Sequence, residues 1–515
     1  MKRPTLAKHP LVSHWLQSLP QDTLPHPPEG RREYDVVVVG GGISGFSTAL
    51  HFSQLSNNTT TVAVLDARSV AGGATGRNGG LVRPGAPAPF AALCAQFGER
   101  EATRLLDFER DNLAALKHFV ASRNSSIIDP GLVEFPCGAF GGLYSVAAKS
   151  EAMRDCRDWR NHHRVPPVSG FLSRNNINAV TGLHIDDPAI EAGATNFQEY
   201  RVDPARLVLA IAQTVLSNDN THFYPHCHVL RVDRQQEDSK SEKDSFKFTL
   251  HTSLGTFKCN KIVYATNAWT AALLPNIPIT PVRNQVVCTT PTTNDNWRRG
   301  LFALVLNNGK EYMSGRGDGR IVLGGMRHLA ENDDYGCDRD DELHPVVSKG
   351  LREYFPTKFD GFDNDNTFTI DREWAGIMGF TDDRIPLVGS LCGVGDYYGG
   401  GEFIIAGFCG HGMTRAFLSG KAVAEMILGK TPSGNFPASY SPARLVVARK
   451  TASKEKETLG FHANVATHTI DIHGSAEPCF YFGNSFVMGQ NFRDMLVMLI
   501  SCLFIFAMLF LANKG

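Results

Sequence analysis

The sequence has almost no net charge, because 51 lysine and arginine residues balance 52 aspartate and glutamate residues. Such a chain has no overall field that attracts a nucleic-acid backbone or an anionic surface. We therefore expect no nucleic-acid partner, and binding has to be inferred from local sites.

Paired cysteines are also missing, since the eleven cysteines are scattered without a Cys-x-x-Cys motif or a regular framework. This usage favours a reducing compartment over a secreted disulfide scaffold. The sequence His226-Cys227-His228 contains metal-ligand residue types, but strand alternation turns the histidines and the cysteine to opposite faces. We predict no metal site there.

The N-terminal residues lack the apolar core of a signal peptide. Because they are rich in proline, we predict an extended leader over residues 1–33. The length of 515 residues indicates two domains with additional tails.

Charge is absent from a long apolar run near the C-terminus, residues 495–512. As a helix, this run would span about 27 Å, close to the hydrocarbon thickness of a bilayer. It predicts a single-pass transmembrane helix that follows a linker over residues 431–494. We expect a tail anchor that leaves the large N-terminal part in the cytosol. A helix that forms oligomers or lies on a lipid surface is the alternative.

A strand, a tight turn, a helix and a second strand are predicted over residues 34–66. The turn matches Gly-x-Gly-x-x-Gly at Gly40, Gly42 and Gly45. In this motif the glycines make the turn, admit a pyrophosphate and let the helix pack on the strand. The helix that opens at Ser44 presents its positive end to phosphates. Asp66 ends the second strand, where an acidic side chain accepts hydrogen bonds from a ribose, so the pattern predicts a dinucleotide site. A glycine turn that only reverses the chain is the alternative.

Three more turns rich in small residues follow, at residues 71–80, 265–269 and 410–413. Small residues let the backbone approach a ligand, and the third turn leads from a strand into a helix. Between them, residues 283–290, 311–313 and 320–327 have the pattern of strands at hairpin intervals. They predict a mostly antiparallel second sheet on which a ligand could lie.

The order of these segments resembles FAD-dependent oxidoreductases of the D-amino-acid oxidase superfamily, over about residues 34–430. The resemblance is strongest to the sarcosine, glycine and gamma-glutamylputrescine oxidase branch and to fungal-type members with the same loop, Gly-Ala-Thr-Gly-Arg-Asn-Gly-Gly, at residues 73–80. It implies an α/β (α+β) fold, with a Rossmann-like FAD-binding domain and an interleaved antiparallel-sheet substrate domain.

The resemblance also implies discontinuous domains. The FAD-binding domain is expected at residues 34–90, 200–216, 257–275 and 370–430, and the substrate domain at residues 91–199, 217–256 and 276–369. Within the family's motifs, cofactor contacts are expected at Gly40, Gly42, Ile43, Ser44, Gly45, Asp66, Ala67, Ala74, Thr75, Arg77, Asn78, Gly79, Val229, Thr266, Asn267, Trp269, Asp383, Gly410, His411, Gly412, Met413 and Thr414.

The reaction implied by the resemblance is oxidation of the carbon–nitrogen bond of an amino acid or amine to an imine. Electrons would pass to oxygen with formation of hydrogen peroxide. One alternative is a dehydrogenase that passes electrons to a carrier or a quinone. The other is a flavin-bearing assembly protein without turnover.

Candidate catalytic residues are His411, Arg384 and Tyr312. The helix N-terminus at Gly412 is expected to face the flavin N1 and C2 carbonyl, where it would stabilise the reduced ring, and His411 could add a hydrogen bond. Arginine is the usual partner of an amino-acid carboxylate, which makes Arg384 a candidate together with Arg316 and Arg83. Tyr312 lies on a predicted sheet strand that could face the substrate.

The sequence departs from its relatives at four positions. Sarcosine oxidases attach FAD through a cysteine in the region of residues 374–383, which has none here, and related dehydrogenases attach it through a histidine where Arg77 stands. We therefore predict non-covalent FAD. Thr414 replaces a lysine that holds the substrate carboxylate, and Val322 replaces an oxygen-activating lysine. These two replacements argue against sarcosine as the substrate and favour the dehydrogenase alternative.

Overall fold

The computed structural model describes residues 3–20, 24–84, 90–122, 133–143, 170–173, 192–235, 246–292, 302–306, 310–358, 369–394, 397 and 400–446. Its helices are α1 (His14–Gln17), α2 (Ile43–Leu55), α3 (Phe90–Phe97), α4 (Glu99–Ala121), α5 (Pro204–Leu216), α6 (Thr270–Leu273), α7 (Pro345–Lys358) and α8 (Ala416–Ile427).

The strands of the first half of the chain are β1 (Glu33–Val39), β2 (Val62–Leu65), β3 (Leu81–Val82), β4 (Val133–Leu143), β5 (Gly170–Ser173), β6 (Ala192–Val202), β7 (Thr221–Tyr224), β8 (Val229–Arg234), β9 (Phe248–Thr252) and β10 (Gly255–Tyr264). Those of the second half are β11 (Thr280–Thr289), β12 (Phe302–Leu306), β13 (Glu311–Gly315), β14 (Ile321–Gly325), β15 (Ile370–Phe380), β16 (Leu387–Ser390) and β17 (Glu402–Ala406).

The first sheet is built around the predicted dinucleotide motif. Its parallel strands follow the order β17-β10-β1-β2-β7, while β16 pairs antiparallel with β17, β9 pairs antiparallel with β10, and β8 pairs antiparallel with β9. The valines of β1 are all at most 5% exposed, as expected for a central parallel strand covered on both faces. The predicted Rossmann-like arrangement is therefore confirmed.

The second sheet follows the order β15-β11-β14-β13-β12-β4-β6-β3, with β5 paired to β6. Its pairs are antiparallel except for β12 with β4. This confirms the predicted second sheet, and its β11-β14-β13 part contains the segments that the sequence pattern identified as strands.

Two predicted domain assignments differ from the sheets to which their strands belong. Residues 217–256 were expected in the substrate domain, yet β7, β8 and β9 belong to the first sheet. The segment 370–430 was expected in the FAD-binding domain, yet β15 is an edge strand of the second sheet and pairs with β11. The pairs β2–β7 and β11–β15 join segments that are distant in sequence, which local hydrophobic patterns do not encode, and β8 and β9 are added to the first sheet as hairpins that continue from β10.

The leader predicted over residues 1–33 is not extended throughout, because α1 forms around Trp15. This indole is 1% exposed, and its Nε1 donates a hydrogen bond to the Asn78 carbonyl oxygen at 2.7 Å. The hydroxyl of Ser13, the N-cap of α1, donates to the carbonyl oxygen of Gly76. The burial of one large side chain thus fixes the leader on the glycine-rich loop.

Residues 431–446, predicted as the beginning of the linker, are packed on the body, so the prediction is wrong for them. Tyr440 is fully buried, and Arg444 forms a two-point ion pair with Asp383 at 2.6 and 3.2 Å. The rest of the predicted linker and the predicted anchor at residues 495–512 lie outside the described residues. Within the described ranges, no helix is long and apolar enough to cross a membrane.

Replacing Trp15 with alanine should lower the free energy of unfolding by about 3–5 kcal/mol, because a large buried side chain is removed. Trp15→Phe keeps much of the packing and loses the Nε1 hydrogen bond, so a smaller loss of about 1–2 kcal/mol is expected. Val12→Ala, at a position that is 50% exposed in the same segment, is the matched control. Urea unfolding measures all three, and an unchanged midpoint for Trp15→Ala would contradict the packed leader.

Candidate functional site

The predicted cofactor residues meet at one edge of the first sheet. The turns at residues 40–45, 66–67, 265–269 and 407–414 follow the carboxyl ends of β1, β2, β10 and β17, which are parallel neighbours. In open α/β sheets this edge is where ligands bind. The structure therefore brings together residues from four distant parts of the chain.

The turn after β1 leaves no room for side chains. A Cβ at Gly45 would overlap the carbonyl oxygen of Gly40, so only glycine lets α2 approach β1 so closely. Gly40 itself has a φ of +117°, a conformation that favours glycine. At the beginning of α2, the N-cap residue Gly42 makes no side-chain hydrogen bond, while Ile43 N donates to Thr75 Oγ1 at 3.2 Å. The open helix end suits a phosphate.

Asp66 is held beside this turn by backbone donors. Its Oδ2 accepts from Gly41 N at 2.6 Å and its Oδ1 accepts from Arg68 N at 2.6 Å. Burial raises the pKa of Asp66 to about 6, against the lowering effect of these two donors. The Asp66 carbonyl oxygen accepts from Cys227 N at 2.7 Å, which places Val229, at the beginning of β8, near the predicted ribose end.

Arg77 is buried and bonded within the protein. Its Nη1 donates to Leu11 O at 2.6 Å and to Ala375 O at 3.0 Å, and its Nε donates to Gly72 O at 3.0 Å. Burial lowers its pKa to about 10. Its guanidinium thus holds the loop at residues 71–80 between the leader and β15.

Two other predicted loop residues also shape the loop. The side-chain amide of Asn78 donates to Thr75 O at 2.7 Å, and its oxygen accepts from Gly80 N at 2.8 Å. Ala74 and Thr75 lie in a 3-10 turn, Ala74–Arg77. The backbone between β2 and β3 is therefore fixed by its own side chains.

Trp269, in the turn after β10, contacts Arg68 and the glycine-rich loop. The guanidinium of Arg68 stacks on its ring at 5.2 Å, and a Cβ at Gly73 would lie 3.7 Å from it. Its Nε1 is enclosed and has no hydrogen-bond partner among the described residues. Such an unpartnered buried donor is uncommon and indicates a missing acceptor.

The turn at residues 265–269 is tied to the turn after β17. Asn267 Oδ1 accepts from Gly407 N at 3.0 Å and from Phe408 N at 3.4 Å, while Thr266 Oγ1 lies 2.9 Å from Thr270 Oγ1. The side chain of Asn267 therefore positions the turn that contains Gly410, rather than only lining it.

His411 is neutral in this environment. Burial and the charge of Arg415 lower its pKa to about 4. Because a carbonyl oxygen only accepts, the 3.0 Å contact between His411 Nδ1 and Cys409 O places the proton on Nδ1. The Nε2 atom then has a lone pair and acts as an acceptor, so it does not donate to a flavin carbonyl.

The helix after this turn begins at Ala416 and not at Gly412, although Gly412 O already accepts from Ala416 N at 2.8 Å. Thr414 Oγ1 donates to His411 O at 3.1 Å, and Met413 is buried. Arg415 and Glu109 form an enclosed ion pair at 2.7 Å, which anchors the turn to α4.

Tyr312, on β13 of the second sheet, packs against the glycine-rich loop. Its ring packs on Gly79 and Gly324, where a Cβ would overlap it, and its hydroxyl accepts from Asn284 Nδ2 at 2.9 Å. Burial raises the pKa of Tyr312 to about 12, so the phenol keeps its proton. The contact with Gly79 brings the antiparallel sheet against the glycine-rich loop.

The predicted arginines have different surroundings. The guanidinium of Arg384 lies over the rings of Tyr335 and Phe380, whereas that of Arg316 lies over Trp15 at 4.5 Å, away from the turn at residues 410–413. The charge of Arg83 contributes to the lowered pKa of His411, after burial and Arg415. The carboxylate of Asp383, an expected cofactor contact, pairs with Arg444.

The sequence reasoning missed Asn284 and the ion pair between Arg68 and Asp340. Asn284 lies on β11, a predicted strand, but no local pattern showed that its amide would reach Tyr312. The pair between Arg68 and Asp340 spans most of the chain, and only the fold reveals it.

Residues 35–426 match the profile of the family described as FAD dependent oxidoreductase. The chain belongs to this family. Among its relatives, a protein described as probable oxidoreductase OrdL from Rhizobium meliloti (strain 1021) is 24% identical over 421 residues, 78% of this chain and 85% of the relative.

Two solved structures have the same fold. Glycine oxidase from Geobacillus kaustophilus matches with a TM-score of 0.61 and 18% identity, over 80% of this chain and 99% of that one. L-proline dehydrogenase from P. horikoshii matches with a TM-score of 0.63 and 21% identity, over 81% and 99%.

The site residues of this FAD dependent oxidoreductase fit the cofactor of its family. The side-chain-free turn at Gly40 and Gly42, the carboxylate of Asp66 and the unpartnered Nε1 of Trp269 line the edge where the dinucleotide is expected. Asp66 would bind the ribose, the N-terminus of α2 the pyrophosphate, and the turn at residues 410–413 the ring.

Asp66→Asn should weaken FAD binding by about ten- to a hundred-fold, because a neutral amide replaces the carboxylate that accepts the ribose hydroxyl groups. Since the pKa of Asp66 is about 6, wild-type affinity should fall as the pH drops through that value and the carboxylate becomes protonated. The variant should lose this pH dependence. Titration of cofactor-free protein with FAD, followed by flavin fluorescence, measures both, and Asp219→Asn, at an exposed aspartate, is the control. If the FAD affinity of Asp66→Asn and its dependence on pH equal those of the wild type, Asp66 does not bind the ribose.

Proposed function

We propose that this protein oxidises the carbon–nitrogen bond of an amino acid or amine to an imine, with FAD bound non-covalently. The observation that carries the proposal is the contact between Tyr312 and Gly79, which sets the antiparallel sheet over the loop that follows the ribose-binding acid. When bound, FAD accepts the hydride from the carbon that bears the nitrogen. The protein supplies orientation, exclusion of water and proton handling.

Two side chains have suitable protonation states for this reaction. The Tyr312 hydroxyl accepts from Asn284, which leaves its own proton free to donate to the substrate. His411 Nε2 has a lone pair and can accept a hydrogen bond from an N–H group of the substrate amine, which would orient the nitrogen, while its pKa of about 4 makes it a weak base. Both assignments follow from hydrogen bonds to neighbouring groups.

The apolar wall next to the turn at residues 410–413 would exclude water. Phe380, Cys409 and Val282 are each at most 5% exposed and form one cluster, against which Met378 packs. A dry site strengthens the electrostatic contacts between the protein and a polar substrate.

Anaerobic titration of the purified flavoprotein with amino acids, N-methyl amino acids and polyamines tests the proposal. Bleaching of the oxidised flavin band by one of these compounds is the expected result. A flavin band that none of them bleaches would favour the alternative of a flavin-bearing assembly protein.

The second candidate function is a dehydrogenase, in which a carrier or a quinone, and not oxygen, reoxidises the flavin. Val322, which stands in the position of the oxygen-activating lysine in sarcosine oxidases, is fully buried on β14, so no ammonium group is available at that position. Glycine oxidase from Geobacillus kaustophilus and L-proline dehydrogenase from P. horikoshii both have this fold. Stopped-flow mixing of the reduced protein with air-saturated buffer separates the two, because rapid return of oxidised flavin would exclude the dehydrogenase.

Tyr312→Phe should lower kcat/KM by about ten- to a hundred-fold, because one hydrogen bond to the substrate is lost. The affinity for FAD should stay unchanged, since the ring still packs on Gly79. Tyr224→Phe is the control: its hydroxyl is also bonded, 2.7 Å from that of Tyr34, but lies on β7 in the first sheet. Equal kcat/KM in wild type and Tyr312→Phe would remove Tyr312 from the mechanism.

We also propose that residues 495–512 tether the protein to a membrane as a tail anchor, with the catalytic domain in the cytosol. The uncharged run of eighteen residues supports the proposal. Deleting residues 493–515 should shift the protein from the membrane pellet to the soluble fraction. Removal of residues 447–460 is a matched control that leaves the run intact, and continued sedimentation of the 493–515 deletion would refute the anchor.

A further inference from the structure

The leader bonds to the backbone of the glycine-rich loop, residues 71–80, through two buried side chains. The hydroxyl of Ser13 donates to the carbonyl oxygen of Gly76, and Trp15 Nε1 donates to that of Asn78 at 2.7 Å. Ser13 has no exposed surface, and Trp15 is 1% exposed. Both hydrogen bonds are therefore shielded from water and hold the backbone of the loop directly.

Close packing accompanies these hydrogen bonds. A Cβ at Gly76 would lie 2.7 Å from Leu16 Cδ2, and a Cβ at Gly80 would lie 3.0 Å from ring atoms of Trp15. The guanidinium carbon of Arg316, in the turn between β13 and β14, lies 4.5 Å from the centre of the same ring. The indole thus contacts both the glycine-rich loop and a turn of the second sheet.

Hydrogen bonds also run from the loop to the leader. Arg77, which lies between the two bonded carbonyl groups in sequence, donates from Nη1 to the carbonyl oxygen of Leu11 at 2.6 Å. Leu11 N in turn donates to the carbonyl oxygen of Asp340 at 2.9 Å, and the Asp340 carboxylate pairs with Arg68. Side chains and backbone of the leader both take part, so its attachment does not depend on a single contact.

The loop residue that precedes these contacts lies at the expected pyrophosphate end of the cofactor site. Thr75 Oγ1 accepts from Ile43 N at 3.2 Å, at the N-terminus of α2. A Cβ at Gly42 would lie 3.0 Å from the same oxygen. Because Thr75 directly precedes Gly76, a displacement of the leader-bound backbone would move Thr75 relative to the donors that face the phosphates.

We propose that Ser13 and Trp15 are positioning residues for FAD, and that the leader retains the cofactor by holding the glycine-rich loop in its binding conformation. A loop that is already ordered loses less conformational entropy when the ligand binds, so the affinity rises. The role belongs to a segment that precedes the region matching the family profile, residues 35–426. It depends on the cofactor and not on the proposed reaction.

Release of FAD from the loaded protein tests this role without turnover. After dilution, the rise in free-flavin fluorescence gives the dissociation rate constant. Ser13→Ala and Trp15→Phe should each increase this constant about three- to ten-fold, because each variant loses one buried hydrogen bond to the loop. Ser18→Ala is the matched control: its hydroxyl donates to Trp15 O at 3.0 Å, within the leader, so FAD should leave at the wild-type rate.

Leu351→Ala separates positioning of the loop from a general loss of stability. Leu351 is fully buried on α7, outside the leader and the loop, so its truncation should lower the melting temperature and leave the FAD dissociation rate constant unchanged. Wild-type release of FAD from both folded leader variants would overturn the proposal. Release rates that follow the melting temperature alone in all the variants would also overturn it.

Hydrogen exchange measures the reciprocal effect, since bound FAD must stabilise the docked leader by the same factor. The amides of Gln17 and Ser18 donate to Ser13 O and His14 O in α1, and they should exchange at least about five-fold more slowly in FAD-loaded than in cofactor-free protein. Exchange in the leader that does not depend on FAD would refute the coupling. If no amine reduces the flavin while FAD still protects the leader, the proposed reaction fails and the role of the leader stands.

Discussion

The enclosed carboxylate of Asp340 holds the site together. It has no exposed surface, binds Arg68 at 2.6 and 2.9 Å, and lies 3.8 Å from Nε of Arg77. A buried charge is tolerated only with such partners, so the loops that carry them have to meet in one place. Because Leu11 N also donates to Asp340 O, at 2.9 Å, one residue connects the turn after β2, the glycine-rich loop and the leader to the loop before α7.

A second buried charge determines the chemistry at the other end of the cofactor site. Burial and the charge of Arg415, which is paired with Glu109, keep His411 neutral, and the Cys409 carbonyl oxygen fixes its proton on Nδ1. The histidine therefore presents a lone pair, not a positive charge. Stabilisation of a reduced flavin would then come from the backbone at the beginning of the following helix, while Nε2 of His411 is left to accept a hydrogen bond.

The local sequence pattern predicted the individual helices and strands better than it predicted how the strands pair into sheets. The strand, turn and helix over residues 34–66 are strongly periodic and contain an obligatory glycine turn, so they are as expected. Residues 217–256, assigned to the substrate domain, contribute β7, β8 and β9 to the first sheet, because β7 pairs with β2, a distant partner that no local signal names, and β8 and β9 continue from β10 as hairpins. The leader escaped prediction for a similar reason, since a single buried indole outweighs a proline-rich composition.

The sequence by itself determined the family, the cofactor and the positions that must lack side chains, because a glycine turn and a terminal acid at fixed spacing admit few other ligands. The tertiary structure decided the roles of the charged residues. Arg77, Arg384 and Arg316 look alike in sequence, yet their surroundings differ. Arg77 is buried and bonded to backbone carbonyl oxygens near Asp340, Arg316 stacks on Trp15 of the leader, and Arg384 lies exposed over the rings of Tyr335 and Phe380. An arginine's role depends on which distant groups surround its guanidinium, and only the folded chain brings those groups together.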